Sequence, residues 1–266
     1  MEKYTFITGA CGGLGRAFVK EYALAGKNLI LAGTSEKKLA KLFEDFADEF
    51  KNIQVKTIVL NLAKKEDREN VVLFLKKENI VIETLVNNAG VIIEGDLERF
   101  SDDEIANTTE VNCVGTVDLT KKLLAVRDET NRFEVLTVAS LASSYPIPHM
   151  AVYAATKAFL VSMMTALAEE YKKKNVVFTT VCPGGIRTTK EMIESLDTMG
   201  LGGKLSAVPA SKIAKMAIKG LAKKKRIVIP GGFNRFLVGL SKPFSKNTLS
   251  KLTGSIWKKS QDKRNF

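Results

Sequence analysis

Histidine is almost missing from this 266-residue chain: His149 is the only one. With no Cys-x-x-Cys pair, no histidine cluster and no HExxH, a metal site is not expected. A Ser-His-Asp hydrolase would need His149 as its base, and no Gly-x-Ser-x-Gly elbow presents a nucleophile. Cysteine is scarce too. Cys11, Cys113 and Cys182 are odd in number and fall in motif or strand positions, which argues against a disulfide framework and for a reducing cytoplasm. No run approaches the roughly 18–20 apolar residues that span a bilayer. The chain enters its first β-rich run at once, so no signal peptide is expected. Pro/Gly/Ser linkers and internal repeats are also lacking, and the length suits one domain with a large core.

What is present alternates. Apolar β-rich runs at 4–8, 28–33, 53–60, 83–87, 133–139, 175–182 and 226–230 are separated by helix-like segments near 14–26, 36–50, 65–79, 102–127, 151–173 and 210–223. This pattern predicts an α/β fold, a doubly wound parallel sheet of about seven strands with helices on both faces. Runs such as Val176–Val181 lack clean polar alternation, as strands buried on both sides do.

Two local patterns carry chemistry. Tyr153 and Lys157 are four apart, on one face of a predicted helix, where an ammonium can depress the pKa of a phenol. A phenol brought down from its usual value near 10 becomes a usable general acid or base. The run at 3–8 leads into Gly9-Ala-Cys-Gly12-Gly13-Leu14-Gly15 and then a helix. Strand, glycine turn and helix N-terminus together suit a pyrophosphate, because glycine lets the backbone come close and the helix end favours negative charge. Each pattern alone has an ordinary structural reading: a half-buried Tyr beside a surface Lys, and a plain βα turn.

Thr8-Gly9-x-x-x-Gly13-x-Gly15, Asn87-Asn88-Ala89-Gly90, Asn112, Ser140, Tyr153, Lys157 and Pro183-Gly184 with Thr188 stand in one order over residues 3 to about 232. In motif and spacing the chain resembles the short-chain dehydrogenase/reductase family, in its short single-domain branch. The resemblance implies a Rossmann-type domain over 1–232 and hydride transfer between a nicotinamide cofactor and a carbonyl or alcohol. Tyr153 is then the general acid/base, and Lys157 lowers its pKa and bonds the nicotinamide ribose. Ser140 would polarise the carbonyl, and Asn112 would hold a water that links Lys157 to solvent. Taken alone, Ser140 could equally bond its own backbone, and Asn112 could mark a helix kink.

For the cofactor, the resemblance implies that Gly9, Gly13, Leu14 and Gly15 cradle the pyrophosphate. Asn61, Leu62, Asn88, Ala89 and Gly90 flank the adenosine, and Pro183, Gly184, Ile186 and Thr188 hold the carboxamide. Cys11 is either a small filler in the glycine turn or a thiol whose alkylation blocks the cofactor. After the second strand stand Thr34 and Ser35, with Lys37 and Lys38 behind and no acid to clamp ribose hydroxyls. That favours NADP over NAD. The family often has Arg where Thr34 stands and Asp where Asn61 stands.

The substrate side is mostly apolar. Ser143 to Met150 would line the pocket, with Tyr145 and His149 as donors, and Thr189–Pro209 reads as an apolar, glycine-containing lid. A hydrophobic ketone or alcohol is expected, steroid-like or a 3-oxoacyl chain. The resemblance also implies a homodimer or homotetramer, formed through the two long helices at 102–127 and 151–173. A non-catalytic dinucleotide sensor and a peripheral membrane interaction protein are the alternatives.

Acidic residues vanish near the C-terminus. From Lys204 to Phe266 there are 16 Lys/Arg and one acid, Asp262, within a chain of formal net charge +12. In the extension 233–266, Phe233, Phe236, Leu237 and Leu240 fall at helical spacing, and Leu249, Leu252 and Ile256 follow beyond Pro243. This is the pattern of a basic amphipathic helix at an anionic membrane surface. Packing on the parent domain or a sister subunit, or docking an acidic carrier protein, competes with it. Nucleic acid is not expected, since no reading module accompanies the charge.

Overall fold

The computed structural model describes residues 2–187 and 205–261, with side chains for 2–186 and 205–256. Strands and helices alternate as β1 (Lys3–Thr8), α1 (Gly13–Leu24), β2 (Asn28–Gly33), α2 (Glu36–Asp45) and β3 (Val55–Val59). Next come α3 (Lys65–Lys77), β4 (Val81–Asn87), α4 (Asp102–Thr109), α5 (Thr116–Ala125), β5 (Phe133–Val138) and α6 (Ala151–Glu170). The chain then forms β6 (Val176–Val181), the short β7 (Ile186–Arg187) and β8 (Val208–Pro209), α7 (Ala210–Ala222), β9 (Ile227–Val228), α8 (Gly232–Ser241) and α9 (Lys246–Gln261).

Seven strands make one parallel sheet in the order β3-β2-β1-β4-β5-β6-β9. Successive side chains of a strand point to opposite faces. Leu29 and Leu31 of β2 accordingly join Phe18, Leu42 and Ile213 in one core layer. Ile30 and Ala32 join Leu75, Leu119 and Leu160 in the other. Each of the buried Leu, Ile and Phe side chains contributes about 1.5–3 kcal/mol. Strand order reverses between β1 and β4, so the loops leaving their C-terminal ends diverge and open a crevice there.

The expected helix over 102–127 is interrupted by a π-helical turn, Glu110–Gly115. The helix expected over 36–50 ends at Asp45, and the last strand shrinks to two residues at the sheet edge. The β7–β8 ladder was not foreseen; it pairs Ile186 with Val208. The lid residues Met192, Ile193, Leu196, Met199 and Leu201, and Thr188, lie outside the described residues. One expectation needs correcting: α6, at 20 residues, is long and apolar enough by length and composition to cross a membrane. Counting uninterrupted apolar residues missed it because Thr156, Lys157, Ser162 and Thr165 break the run. Thr156 and Lys157 are buried on its inner face.

Candidate active site

The glycine turn is built for close backbone approach. Gly9 has φ +61°, and a Cβ there would lie 2.9 Å from the Ala89 Cα. A Cβ on Gly15 would lie 2.1 Å from the Gly9 carbonyl oxygen, so α1 can start against the turn only because Gly15 has none. Thr8 locks the two crevice loops together. Its hydroxyl accepts from the Asn88 and Ala89 N–H groups at 2.9 and 3.0 Å and donates to the Val86 carbonyl at 3.2 Å. The Asn88 amide donates to the Thr8 and Gly9 carbonyls at 2.9 and 3.0 Å, so its side chain clamps the turn. Cys11 is half-buried against Gly33, and burial raises its thiol pKa. A thiol held protonated is a poor nucleophile, which fits the filler reading.

This turn opens into a cavity of about 1040 Å³ that also takes in Ser140, Tyr153 and Lys157. The sheet and α6 bring the three together: Ser140 follows β5, while Tyr153 and Lys157 lie 7% and 4% exposed on the inner face of α6. The Lys157 ammonium donates to the Val138 carbonyl at 3.1 Å, and burial lowers its pKa from 10.5 to about 8. The expectation that Lys157 depresses the Tyr153 phenol is not met in this arrangement. Burial pushes Tyr153 up, opposed by a hydrogen bond with Ser140. The ammonium sits 5.8 Å from the phenol ring centroid and is committed to the Val138 carbonyl. Ser140 also caps the turn Leu141–Ser144, its hydroxyl accepting from the Ala142 N–H at 3.1 Å. Its backbone-bonding and substrate-facing readings are therefore compatible.

Asn112 is fully buried in the π-helical turn. Its side-chain oxygen accepts from the Val91 N–H at 2.8 Å, and its nitrogen donates to the Val91 carbonyl at 2.9 Å and to Thr156 Oγ1 at 3.0 Å. It thus fastens the loop after β4 to α6. Gly90 lies in that seam, where a Cβ would meet the Lys157 Nζ at 3.1 Å and Asn112 Oδ1 at 3.2 Å.

The remaining residues ring the cavity. Leu14, Thr34, Ser35, Lys38, Asn61 and Leu62 line one end, and Pro183, Gly184 and Ile186 the other. Ser35 caps α2 by accepting from the Lys38 N–H at 3.3 Å. The Asn61 side-chain oxygen accepts from the Ala63 N–H at 3.0 Å, so it shapes its own turn. Lys37 does not reach the cavity, because it is one residue out of phase with Lys38 on α2.

Sequence reasoning missed Asn234. It is fully buried and donates to the Ser206 and Pro230 carbonyls at 2.9 and 2.8 Å. A Cβ on Gly184 would press on it at 2.8 Å. It pins the segment at Ser206 to α8; its only signal was a polar pair, Asn234 and Arg235, in the otherwise apolar run Phe233–Leu240.

On the substrate side Tyr145, Ile147 and Met150 line the cavity. The Tyr145 hydroxyl is buried with no hydrogen-bond partner among the described residues. His149, expected as a second donor, is not in the lining. It has φ +63°, and its Nδ1 lies 2.6 Å from Asp96 Oδ1, which turns the ring away from the cavity.

The family model for short chain dehydrogenases matches residues 3–198. The 3-oxoacyl-(acyl-carrier-protein) reductase FabG of Haemophilus influenzae is 30% identical over 80% of this chain and 85% of its own. The chain belongs to the short-chain dehydrogenase family. The very-long-chain 3-oxoacyl-CoA reductase of Aspergillus oryzae is 29% identical over 67% of this chain. This short-chain dehydrogenase spans 52% of that relative, about half the length of the very-long-chain relatives it matches. Its fold is that of a solved 7β-hydroxysteroid dehydrogenase, with TM-score 0.83 at 22% identity over 95% of this chain and 96% of the other.

Proposed function

We propose that this short-chain dehydrogenase is an NAD(P)-dependent oxidoreductase interconverting a hydrophobic ketone and its alcohol. The convergence of Ser140, Tyr153 and Lys157 on the cavity that the glycine turn opens carries this reading. The residues fit a dinucleotide: the cradle at Gly9 and Gly15 excludes any Cβ, and the cavity runs from there to Pro183 and Gly184. Gly9, Gly13, Leu14 and Gly15 would hold the pyrophosphate at the N-terminus of α1. Leu62, Ala89 and Gly90 would hold the adenosine, and Pro183, Gly184, Ile186 and Thr188 the carboxamide. Bound there, the nicotinamide supplies or takes up the hydride.

The protein's own part is proton handling and charge stabilisation. In reduction the Ser140 hydroxyl donates to the carbonyl oxygen, where negative charge grows in the transition state. The Tyr153 phenol gives that oxygen its proton, and takes one back in oxidation. Lys157, bonded to the Val138 carbonyl beside the phenol, would hold the nicotinamide ribose. Asn112 keeps Lys157 and the loop after β4 in register. The complete set favours an enzyme over a non-catalytic sensor.

The cofactor we propose is NADP. Lys38 lines the cavity beside Thr34 and Ser35 and has no acidic partner among the described residues, so its charge is available to a 2′-phosphate. For the substrate, the apolar lining at Ile147 and Met150 suits a 3-oxoacyl chain or a steroid-like ketone, with Tyr145 as a donor. The relatives named as 3-oxoacyl reductases favour the former. Ala155, Phe159, Ser162 and Ala166 form an uncharged exposed face on α6, which we assign to a homodimer or homotetramer. Three free thiols fit a reducing cytoplasm.

Titration of NADPH against NADH by nicotinamide fluorescence, followed by turnover on 3-oxoacyl thioesters and steroid ketones, tests the reading. Tyr153→Phe should bind the preferred cofactor normally and lose about 100-fold or more in kcat. Full turnover by that variant would remove Tyr153 as the acid/base. Equal affinity for both cofactors would remove the Lys38 argument.

A further inference from the structure

The C-terminal segment touches the body, yet both of its helices leave apolar side chains uncovered. On α8 the inward side is set by Asn234, bonded to Ser206 and Pro230. On α9 Thr253 Oγ1 lies 2.8 Å from the Pro146 carbonyl oxygen and 2.9 Å from the Leu249 carbonyl oxygen of its own helix, with one proton shared between them, and Gly254 lies against the Pro148 ring. Both helices thus touch the body. The other side carries Phe236 and Leu240, 62% and 54% exposed, one turn apart on α8. Phe244 follows after the break at Pro243, and then Leu252 and Ile256, 52% and 62% exposed, one turn apart on α9. At roughly 100° per residue, Phe236 points about 160° away from Asn234, so the apolar face is turned from the domain by construction. Packing on the parent domain accounts for Phe233, Leu237 and Leu249, which are half-buried, and leaves the other five side chains in water.

Charge identifies what covers them. Arg235, Lys242, Lys246 and Lys251 are exposed beside this face, and none pairs with an acid among the described residues. Between Asp197 and Asp262 the sequence has no acid at all. Apposing this face to the same face of a second copy would bring like charges together. An anionic lipid surface satisfies both features: the apolar side chains enter the boundary of the acyl region and the cations meet headgroup phosphates. We propose that the chain docks on anionic membranes through α8 and α9. The docked pose puts the cavity mouth near the lipid, because α9 holds the segment that supplies Tyr145, Ile147 and Met150 to the lining. The proposal does not depend on the hydride-transfer reading.

The test is co-sedimentation of the full chain with vesicles of phosphatidylcholine alone, and of phosphatidylcholine with an equal part of phosphatidylglycerol. Sedimentation with the mixed vesicles only, weakened by salt, is the expected result. Phe236→Ser with Leu240→Ser should lower the bound fraction about tenfold while leaving NADPH binding and thermal unfolding unchanged. Lys242→Glu with Lys246→Glu should do the same without touching an apolar residue. No sedimentation with mixed vesicles, or equal sedimentation with both kinds, would overturn the proposal. So would a solution dimer that the Phe236/Leu240 variant dissociates, with no vesicle binding, since the face would then be a contact between copies.

Discussion

Replacing Lys157 by methionine removes a charge that the fold holds at a cost. Lys157 is 4% exposed, its ammonium makes one hydrogen bond among the described residues, to the Val138 carbonyl, and its pKa falls from 10.5 to about 8 through burial. In the unfolded chain it returns to the ordinary value, so between pH 8 and 10.5 unfolding takes up a proton and stability rises with pH. Below pH 8 both states are protonated and the full penalty applies. A difference of this size corresponds to about 3 kcal/mol at pH 7, and it fades as pH climbs toward 10. Methionine fills similar volume and removes the penalty, but it leaves the Val138 carbonyl unpaired at about 1 kcal/mol. The net expectation is that Lys157→Met is about 2 kcal/mol more stable at pH 7, a rise of roughly 4–8 °C in Tm. Activity should be lost at the same time. Thermal unfolding of both proteins at intervals from pH 7 to 10 checks this, and the advantage should shrink through pH 9 and vanish near pH 10. A variant that is less stable at pH 7, with a gap that does not change with pH, would refute the reasoning.

Gly15→Ala places a methyl 2.1 Å from the Gly9 carbonyl oxygen, backbone that cannot yield cheaply, so the turn must shift. Cofactor affinity should fall about 100-fold or more by fluorescence titration, because the proposed pyrophosphate cradle is made of backbone. Asn234→Ala leaves the Ser206 and Pro230 carbonyls without their donor and should cost about 2–3 kcal/mol in urea unfolding. Tyr145→Phe removes a buried hydroxyl that has no partner among the described residues. It should leave stability unchanged or raised by up to about 1 kcal/mol. KM for ketone substrates should rise with little change in kcat if that hydroxyl binds substrate.

Much of the site was legible in the sequence because its parts sit at element ends, where local chemistry is most constrained. The glycines at 9 and 15 announced a turn that no other residue can make, and the alternation of apolar runs with helical segments announced the parallel sheet. Tyr153 and Lys157 share a helix face whatever lies around them. Roles that depend on distant partners were not legible. Asn88 lines the cavity as expected, but its clamp on the Thr8 and Gly9 carbonyls could not be read from the sequence, and His149 reads as a pocket donor but turns toward Asp96. Neither partner is near in sequence to its Asn or His.

The sequence by itself determined the order of elements, the backbone-made cradle and the basic, apolar character of the C-terminal segment. Tertiary structure alone decided the electrostatics. Burial, which no local pattern encodes, raised the Tyr153 pKa and lowered that of Lys157, against the expectation from their spacing. It also decided which apolar residues of the C-terminal helices are covered: Asn234 and Thr253 meet carbonyls on the body, and those contacts leave Phe236, Leu240 and Ile256 on the outside.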